Sequence, residues 1–260
     1  MMKPNILTKQ FPDGESYVRV RNLRSLKNKS VTIYKRLYPD PEKNIFELLL
    51  ILSVIKKATK KITIFIPYLP YARQDRENKP GEAVSADVLC RLLKSHGVRK
   101  LITYDCHFLP RPGRFIRAGL RIENRSAKKI LLDYAKKYFG NQEFTVISPD
   151  QGAAYLSHVA LRKTRKNAHK IHKMEGKINV EGKNVCILDD IISTGGTILH
   201  AIKHMKKLGA RKIIVGAVHG VFALPDIRSK IEKSCSLLFV TDSIPTTDKK
   251  LKILKLSREA

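Results

Sequence analysis

Short apolar runs alternate with longer amphipathic stretches along this chain. The runs at Ser30–Tyr34, Lys61–Pro67, Lys100–Asp105, Phe144–Ser148, Val185–Leu188 and Lys212–Val218 read as strands. Between them, Asn44–Ala58, Ser85–His96, Ser126–Phe139, Gly152–Arg162 and Thr197–Leu208 carry helical spacing. Strands covered on both faces lose strict alternation, and crossover helices are what cover both faces. The order therefore predicts an α/β fold of mainly parallel sheets flanked by helices. Most connections are short, but Leu109–Asn124 and Lys163–Lys183 are long.

An internal repeat sharpens that picture. Leu92–His107 (LLKSHGVRKLITYDCH) matches His204–His219 (HMKKLGARKIIVGAVH) at an offset of 112 residues, from Gly97 on Gly209 to His107 on His219. Any helix–glycine–strand unit explains the glycine, which ends the helix, and the isoleucines, which fill the strand. It does not explain the shared Arg-Lys pair (Arg99 and Lys100, Arg211 and Lys212) or the histidine. The repeat points to a duplicated α/β domain, residues 1–124 followed by 125–260.

One stretch combines opposite chemistries. In Cys186–Thr197 (CILDDIISTGGT) a buried strand ends in two acids, and a hydroxyl- and glycine-rich turn then leads into a helix. Such strand-to-helix turns are where doubly wound sheets bind ligands. Thr194, Gly195, Gly196 and Thr197 allow close backbone approach, and the helix N-terminus adds amides and a partial positive charge. Asp189 and Asp190 would repel that phosphate. Carboxylates there suit sugar hydroxyls or a divalent metal. A pentose 5-phosphate carries a diol at one end and a phosphate at the other. There is no GxxxxGK[ST], so this is not a P-loop.

Composition changes the picture in one respect. An apolar content of 43% supports a sizeable core, and the longest uncharged apolar run, Leu48–Ile55, is too short to span a bilayer. The first sixteen residues hold no apolar stretch of signal-peptide length, and the four cysteines are scattered without metal-site spacing. A cytoplasmic protein with reduced thiols is expected. The net charge of +28 suggests polyanionic partners. Lysine is spread through many segments, and no aromatic-interleaved basic tract marks a nucleic-acid surface. Nucleic-acid binding rests on charge alone and is not expected.

With these residues in view, CILDDIISTGGT resembles the phosphoribosyl-diphosphate motif of type I phosphoribosyltransferases and of ribose-phosphate diphosphokinases. FPDGE (Phe11–Glu15), PYLPYARQDR (Pro67–Arg76), the strand end Asp105-Cys106-His107 and ISPDQGA (Ile147–Ala153) follow the diphosphokinase order and near-family spacing. The resemblance covers almost the whole chain. It implies two duplicated type I phosphoribosyltransferase-like domains and transfer of a diphosphoryl group from ATP to the C1 hydroxyl of ribose 5-phosphate.

What the family implies residue by residue is as follows. Phe11 stacks on adenine, with Asp13 and Glu15 selecting its amino edge, in a turn that reaches a neighbouring subunit's site. At least a homodimer is therefore implied. Arg73, Gln74 and Asp75 contact ATP. His107 and Asp150 engage magnesium–ATP, making Mg2+ the implied cofactor. Asp189 and Asp190 hold the ribose diol directly or through magnesium, while Ser193, Thr194, Gly195, Gly196 and Thr197 hold its phosphate. Lys163 and Arg165 fall on the Lys-x-Arg pair of a catalytic flexible loop over Lys163–Lys183. The turn after Asp150, QGAAYLS, departs from the glycine- and arginine-bearing version of the best-known members. A nucleobase phosphoribosyltransferase would share the motif but lack the first half. A catalytically silent regulatory relative would have lost site residues, which this chain keeps.

Overall fold

The computed structural model describes every residue except 1, 150–153, 158, 161, 168, 169, 176, 177, 247, 249, 259 and 260. Only the backbone is described at Ala154 and through 159–175. The chain divides into two compact units, Met1–Arg125 and Ser126–Ser257, with Arg258 grouped with the first.

The first unit begins with a two-stranded antiparallel hairpin, β1 (Ile6–Gln10) and β2 (Ser16–Val20). Its main sheet holds β3 (Val31–Tyr34), β4 (Ile62–Phe65), β5 (Val98–Tyr104), β6 (Gly113–Arg117) and β7 (Leu120–Arg125). Their order is β3-β4-β5-β7-β6, all parallel except the β6–β7 hairpin. Helices α1 (Pro41–Ile55) and α2 (Ser85–Ser95) are the crossovers. Val31, Ile33, Ile62, Ile64, Leu101 and Ile122 form one core with Leu48, Leu52, Leu89 and Leu93 of the helices.

The second unit holds β8 (Phe144–Ser148), β9 (Val159–Ala160), β12 (Asn184–Ile192), β13 (Lys212–Gly220), β14 (Leu237–Thr241) and β15 (Lys252–Leu254). The order β15-β14-β13-β12-β8-β9 is parallel throughout. Helices α4 (Gly196–Lys207) and α5 (Ile227–Ser234) share a core with Val185, Ile187, Val215 and Val240. Helix α3 (Lys128–Phe139) joins the unit through Tyr134, whose ring lies 5.0 Å from that of Phe239. A separate antiparallel pair, β10 (Arg162–Asn167) and β11 (Lys170–Glu175), precedes β12.

The α/β class and the mainly parallel sheets agree with the sequence reading. Three expectations change. Gly152–Arg162 is not one helix: Ala154–Leu156 form a single 3-10 turn, and Val159–Ala160 pair with Ile147–Ser148. Docking on the open edge of β8 outweighs the local helical spacing. The connection Leu109–Asn124 contains the β6–β7 hairpin, hidden because arginines alternate with its apolar residues. The connection Lys163–Lys183 contains most of the β10–β11 ladder, which has no apolar alternation to announce it. Among the described residues, no helix is long and apolar enough to cross a membrane.

Candidate active site

Strand β12 carries the acidic pair further into the sheet than expected. The apolar run stops at Leu188, but the strand continues through Asp189 and Asp190 to Ile192. Its ladder with β8 ends at Ile187↔Ile147, whereas its ladder with β13 reaches Ile192↔Gly220. Past Leu188 the described ladder of the strand continues on the β13 side. Both acids are 4% exposed. The Asp190 N–H donates to Asp189 Oδ1 at 3.0 Å, and the Ile191 N–H donates to Asp190 Oδ1 at 2.8 Å. These local bonds aim the two carboxylates and offset part of the cost of burying them.

The turn that follows is supported from behind. Amides of Val221 and Phe222 donate to the Ile192 carbonyl, each at 3.0 Å, and the Ala223 N–H donates to the Ser193 carbonyl at 3.1 Å. Thr194 is exposed, and Gly195 is buried. Gly195 sits at φ +70° as the N-cap of α4, and a β-carbon there would lie 2.2 Å from Ile227 Cγ1. Both the left-handed backbone and the close approach of α5 require glycine. A glycine N-cap offers no side-chain acceptor to the first-turn amides of α4, and an anion can take that place. The structure thus brings Asp189, Asp190, Ser193, Thr194, Gly195, Gly196 and Thr197 onto one strand end and helix start. The supporting segment Val221–Ala223 and the buttress Ile227 were not legible, since nothing local marks them.

In the first unit, the ends of β4 and β5 lie side by side. The Tyr104 N–H donates to the Pro67 carbonyl at 3.1 Å, so the chain leaving β4 toward Arg73, Gln74 and Asp75 starts beside Asp105-Cys106-His107. Arg73 is exposed, and Gln74, Asp75 and His107 are half-buried. Asp105 sits at φ +37°, and its neighbour's amide, Cys106 N–H, donates to Asn124 Oδ1 at 2.9 Å. Arg117, which the sequence reading passed over, organises the Arg73–Asp75 loop. Its guanidinium donates to the Asp75 carbonyl and, at 2.6 Å, to Asp87 Oδ1, and it lies 4.2 Å over the Phe108 ring. Tyr71 donates its hydroxyl proton to Glu42 of α1; that carboxylate holds the proton and pushes the Tyr71 pKa up to about 12.

Phe11, Asp13 and Glu15 occupy the tip of the β1–β2 hairpin. The Phe11 N–H donates to the Glu15 carbonyl at 2.8 Å, and the Glu15 N–H to Asp13 Oδ1 at 3.0 Å. Phe11 meets Tyr17 edge-on yet remains 48% exposed, which keeps its other face available for stacking. Lys163 and Arg165 lie on β10, their backbones paired with Met174 and Ile171. Asp150 lies outside the described residues. Among the described residues, no three His, Cys, Asp or Glu side chains cluster as a metal site.

Two mainly parallel sheets, one with an acidic strand end leading into a glycine-capped helix, define a phosphoribosyltransferase-like α/β protein. Comparison with known proteins narrows this. The family profile described as the N-terminal domain of ribose phosphate pyrophosphokinase matches residues 2–97, and the phosphoribosyl transferase domain profile matches 158–249. The ribose-phosphate pyrophosphokinase of Thermococcus kodakarensis is 35% identical, with 95% of this chain and 88% of that protein covered. That of Pyrococcus abyssi is 34% identical, with coverage of 96% and 88%. The crystal structure of phosphoribosylpyrophosphate synthetase from Mycobacterium smegmatis superposes with a TM-score of 0.78 at 28% identity, over 97% of this chain and 86% of that one. The chain belongs to the ribose-phosphate pyrophosphokinase family.

Proposed function

We propose that this protein transfers the diphosphoryl group of ATP to the C1 hydroxyl of ribose 5-phosphate, giving 5-phosphoribosyl 1-diphosphate and AMP. The observation that carries the reading is the strand end of β12. Two buried carboxylates and a glycine-capped helix start lie in one continuous segment, matching the diol and the phosphate of one pentose phosphate. In the reaction the C1 oxygen attacks the β-phosphorus. The bond from that phosphorus to the α,β-bridging oxygen breaks, AMP leaves with that oxygen, and the hydroxyl proton passes to solvent.

Asp189 and Asp190 would orient the ribose ring, and Ser193 to Thr197 would hold its phosphate. Arg73, Gln74, Asp75 and His107 would bind ATP from the first unit. Lys163 and Arg165 would neutralise the transferring oxygens, since positioning and charge stabilisation supply most of the catalysis in phosphoryl transfer. Magnesium, when bound, would neutralise the ATP phosphates. The chain's donors fit a cation shared with those phosphates, Asp150 offering a hard oxygen and His107 lying at the β5 strand end. Phe11, Asp13 and Glu15 would take the adenine, and their exposed hairpin tip supports a site completed by a second subunit. Helix α1 is consistent with that assembly, because Phe46 on its outer side is exposed.

Incubation with ribose 5-phosphate, ATP and Mg2+ should release AMP in step with phosphoribosyl diphosphate. Absence of AMP, with base exchange from supplied phosphoribosyl diphosphate, would identify a nucleobase phosphoribosyltransferase instead.

A further inference from the structure

The sequence repeat places His219 where the first unit has His107, and the proposed reaction makes no use of His219. It is nevertheless 1% exposed. Strand β14 pairs with β13 only as far as Ala217↔Val240. Beyond that point side chains take over from the backbone ladder. The Val218 carbonyl accepts from Thr241 Oγ1 at 2.7 Å and from Ser243 Oγ at 3.0 Å. The Ser243 N–H donates to Thr241 Oγ1 at 3.2 Å, and His219 Nδ1 lies 2.9 Å from Ser243 Oγ. Thr241 and Ser243 are as buried as the histidine.

The hydrogen-bond arithmetic sets the tautomer. The hydroxyl of Ser243 has one proton, and the Val218 carbonyl takes it. With that proton donated to the carbonyl, Nδ1 of His219 is the donor to Ser243 Oγ. This latch holds the last residues of β13 after β14 has left them. Those residues pass directly into Val221–Ala223, whose amides hold the Ile192 and Ser193 carbonyls at the start of the phosphate turn. On its other side β12 has already lost β8. The end of β13 thus braces the Asp189–Thr194 segment from its own side, and the latch holds the end of β13.

We propose that His219, as the Nδ1–H tautomer bonded to Ser243, is a positioning residue that sets the affinity of the β12–α4 turn for ribose 5-phosphate. This rests on the proposed reaction, so the test reads the ring and the turnover separately. Long-range 15N–1H correlation of the wild-type protein should show a ring proton on Nδ1. The amide nitrogen of Asn stands where Nδ1 stands, and that of Gln where Nε2 stands. His219→Asn should therefore keep the KM for ribose 5-phosphate within about twofold, whereas His219→Gln should raise it about tenfold, the loss of one buried hydrogen bond. The kcat and the KM for ATP should move less than about threefold in both. Ser243→Ala, which leaves the histidine intact, should show the same split and carries the test should His219→Gln fail to fold. A ring without a proton on Nδ1, equal effects of Asn and Gln, or parallel changes in both KM values would overturn the positioning role. A wild-type protein that releases no AMP would overturn the proposed reaction and the positioning role with it, while the Nδ1–H signal would still report the latch.

Discussion

The two units solve one problem in different ways. Each contains a helix, a left-handed glycine and a strand flanked by parallel neighbours: α2, Gly97 and β5 in one, α4, Gly209 and β13 in the other. Gly97 lies at φ +88° and Gly209 at φ +77°; the Gly209 amide donates to the Lys206 carbonyl and the Ala210 amide to that of Met205, closing α4. Near each strand's end comes a histidine, just past β5 in one unit and inside β13 in the other, with different surroundings. His107 is half-buried beside an exposed loop, whereas His219 is sealed against Ser243. The repeated basic pairs have diverged too. Lys100 bonds Glu123 at 3.0 Å, while Lys212 lies over the Tyr138 ring. A shared scaffold thus places a histidine near a strand end, and the neighbouring segments decide what it meets.

The contrast can be broken by experiment. The largest effect is expected at β10: Lys163→Ala with Arg165→Ala should lower AMP release by roughly a thousandfold, with an unchanged melting temperature. An unaltered rate would remove this hairpin from the chemistry. Next, His107→Ala should reduce turnover on the order of tenfold to a hundredfold, the value of one or two charge-assisted contacts, with little change in stability. A large fall in melting temperature instead would make His107 the structural equal of His219 and end the contrast.

In the second unit, Gly195→Ala should destabilise by about 2–4 kcal/mol, from the left-handed backbone plus the overlap with Ile227. Thermal unfolding would register that loss, and the KM for ribose 5-phosphate should rise in the surviving fraction. A neutral substitution would show that α5 does not brace the turn.

The smallest effect concerns the thiols. Burial pushes Cys90 in the first unit and Cys235 in the second from 9.0 up to about 11. Both stay protonated in the folded protein where the unfolded chain has begun to ionise. The stability they contribute is complete below pH 9 and is lost as pH rises toward 11. Chemical denaturation across that window should show the decline, and alkylation of the native protein at pH 8 should be slow. Rapid labelling would place these thiols at the surface.

Much of the candidate site was legible because its residues are local. The acids and the STGGT turn occupy consecutive positions, so an apolar strand before them and a helical pattern after them suffice to suggest a phosphorylated pentose. The repeat was legible for a similar reason, since helix, glycine and strand are spelled in order. The β1–β2, β6–β7 and β10–β11 hairpins were not, because their alternation is short or interrupted by arginine and lysine. Arg117 and Ser243 could not be found either. Arg117 lies 42 residues from the carbonyl it holds, and Ser243 lies 24 from its histidine.

The sequence by itself therefore determined the fold class, the family resemblance and the chemical character of the acid- and glycine-bearing turn, since each is carried by residue types at short spacing. Only the tertiary structure decided that β12 runs on through Asp189 and Asp190 with β8 gone from one side, that Ile227 leaves room for nothing but glycine at 195, and that His219 faces Ser243 while His107 does not. Those outcomes depend on which strand ends where beside which neighbour, and strand ends are set by packing between segments far apart in the chain.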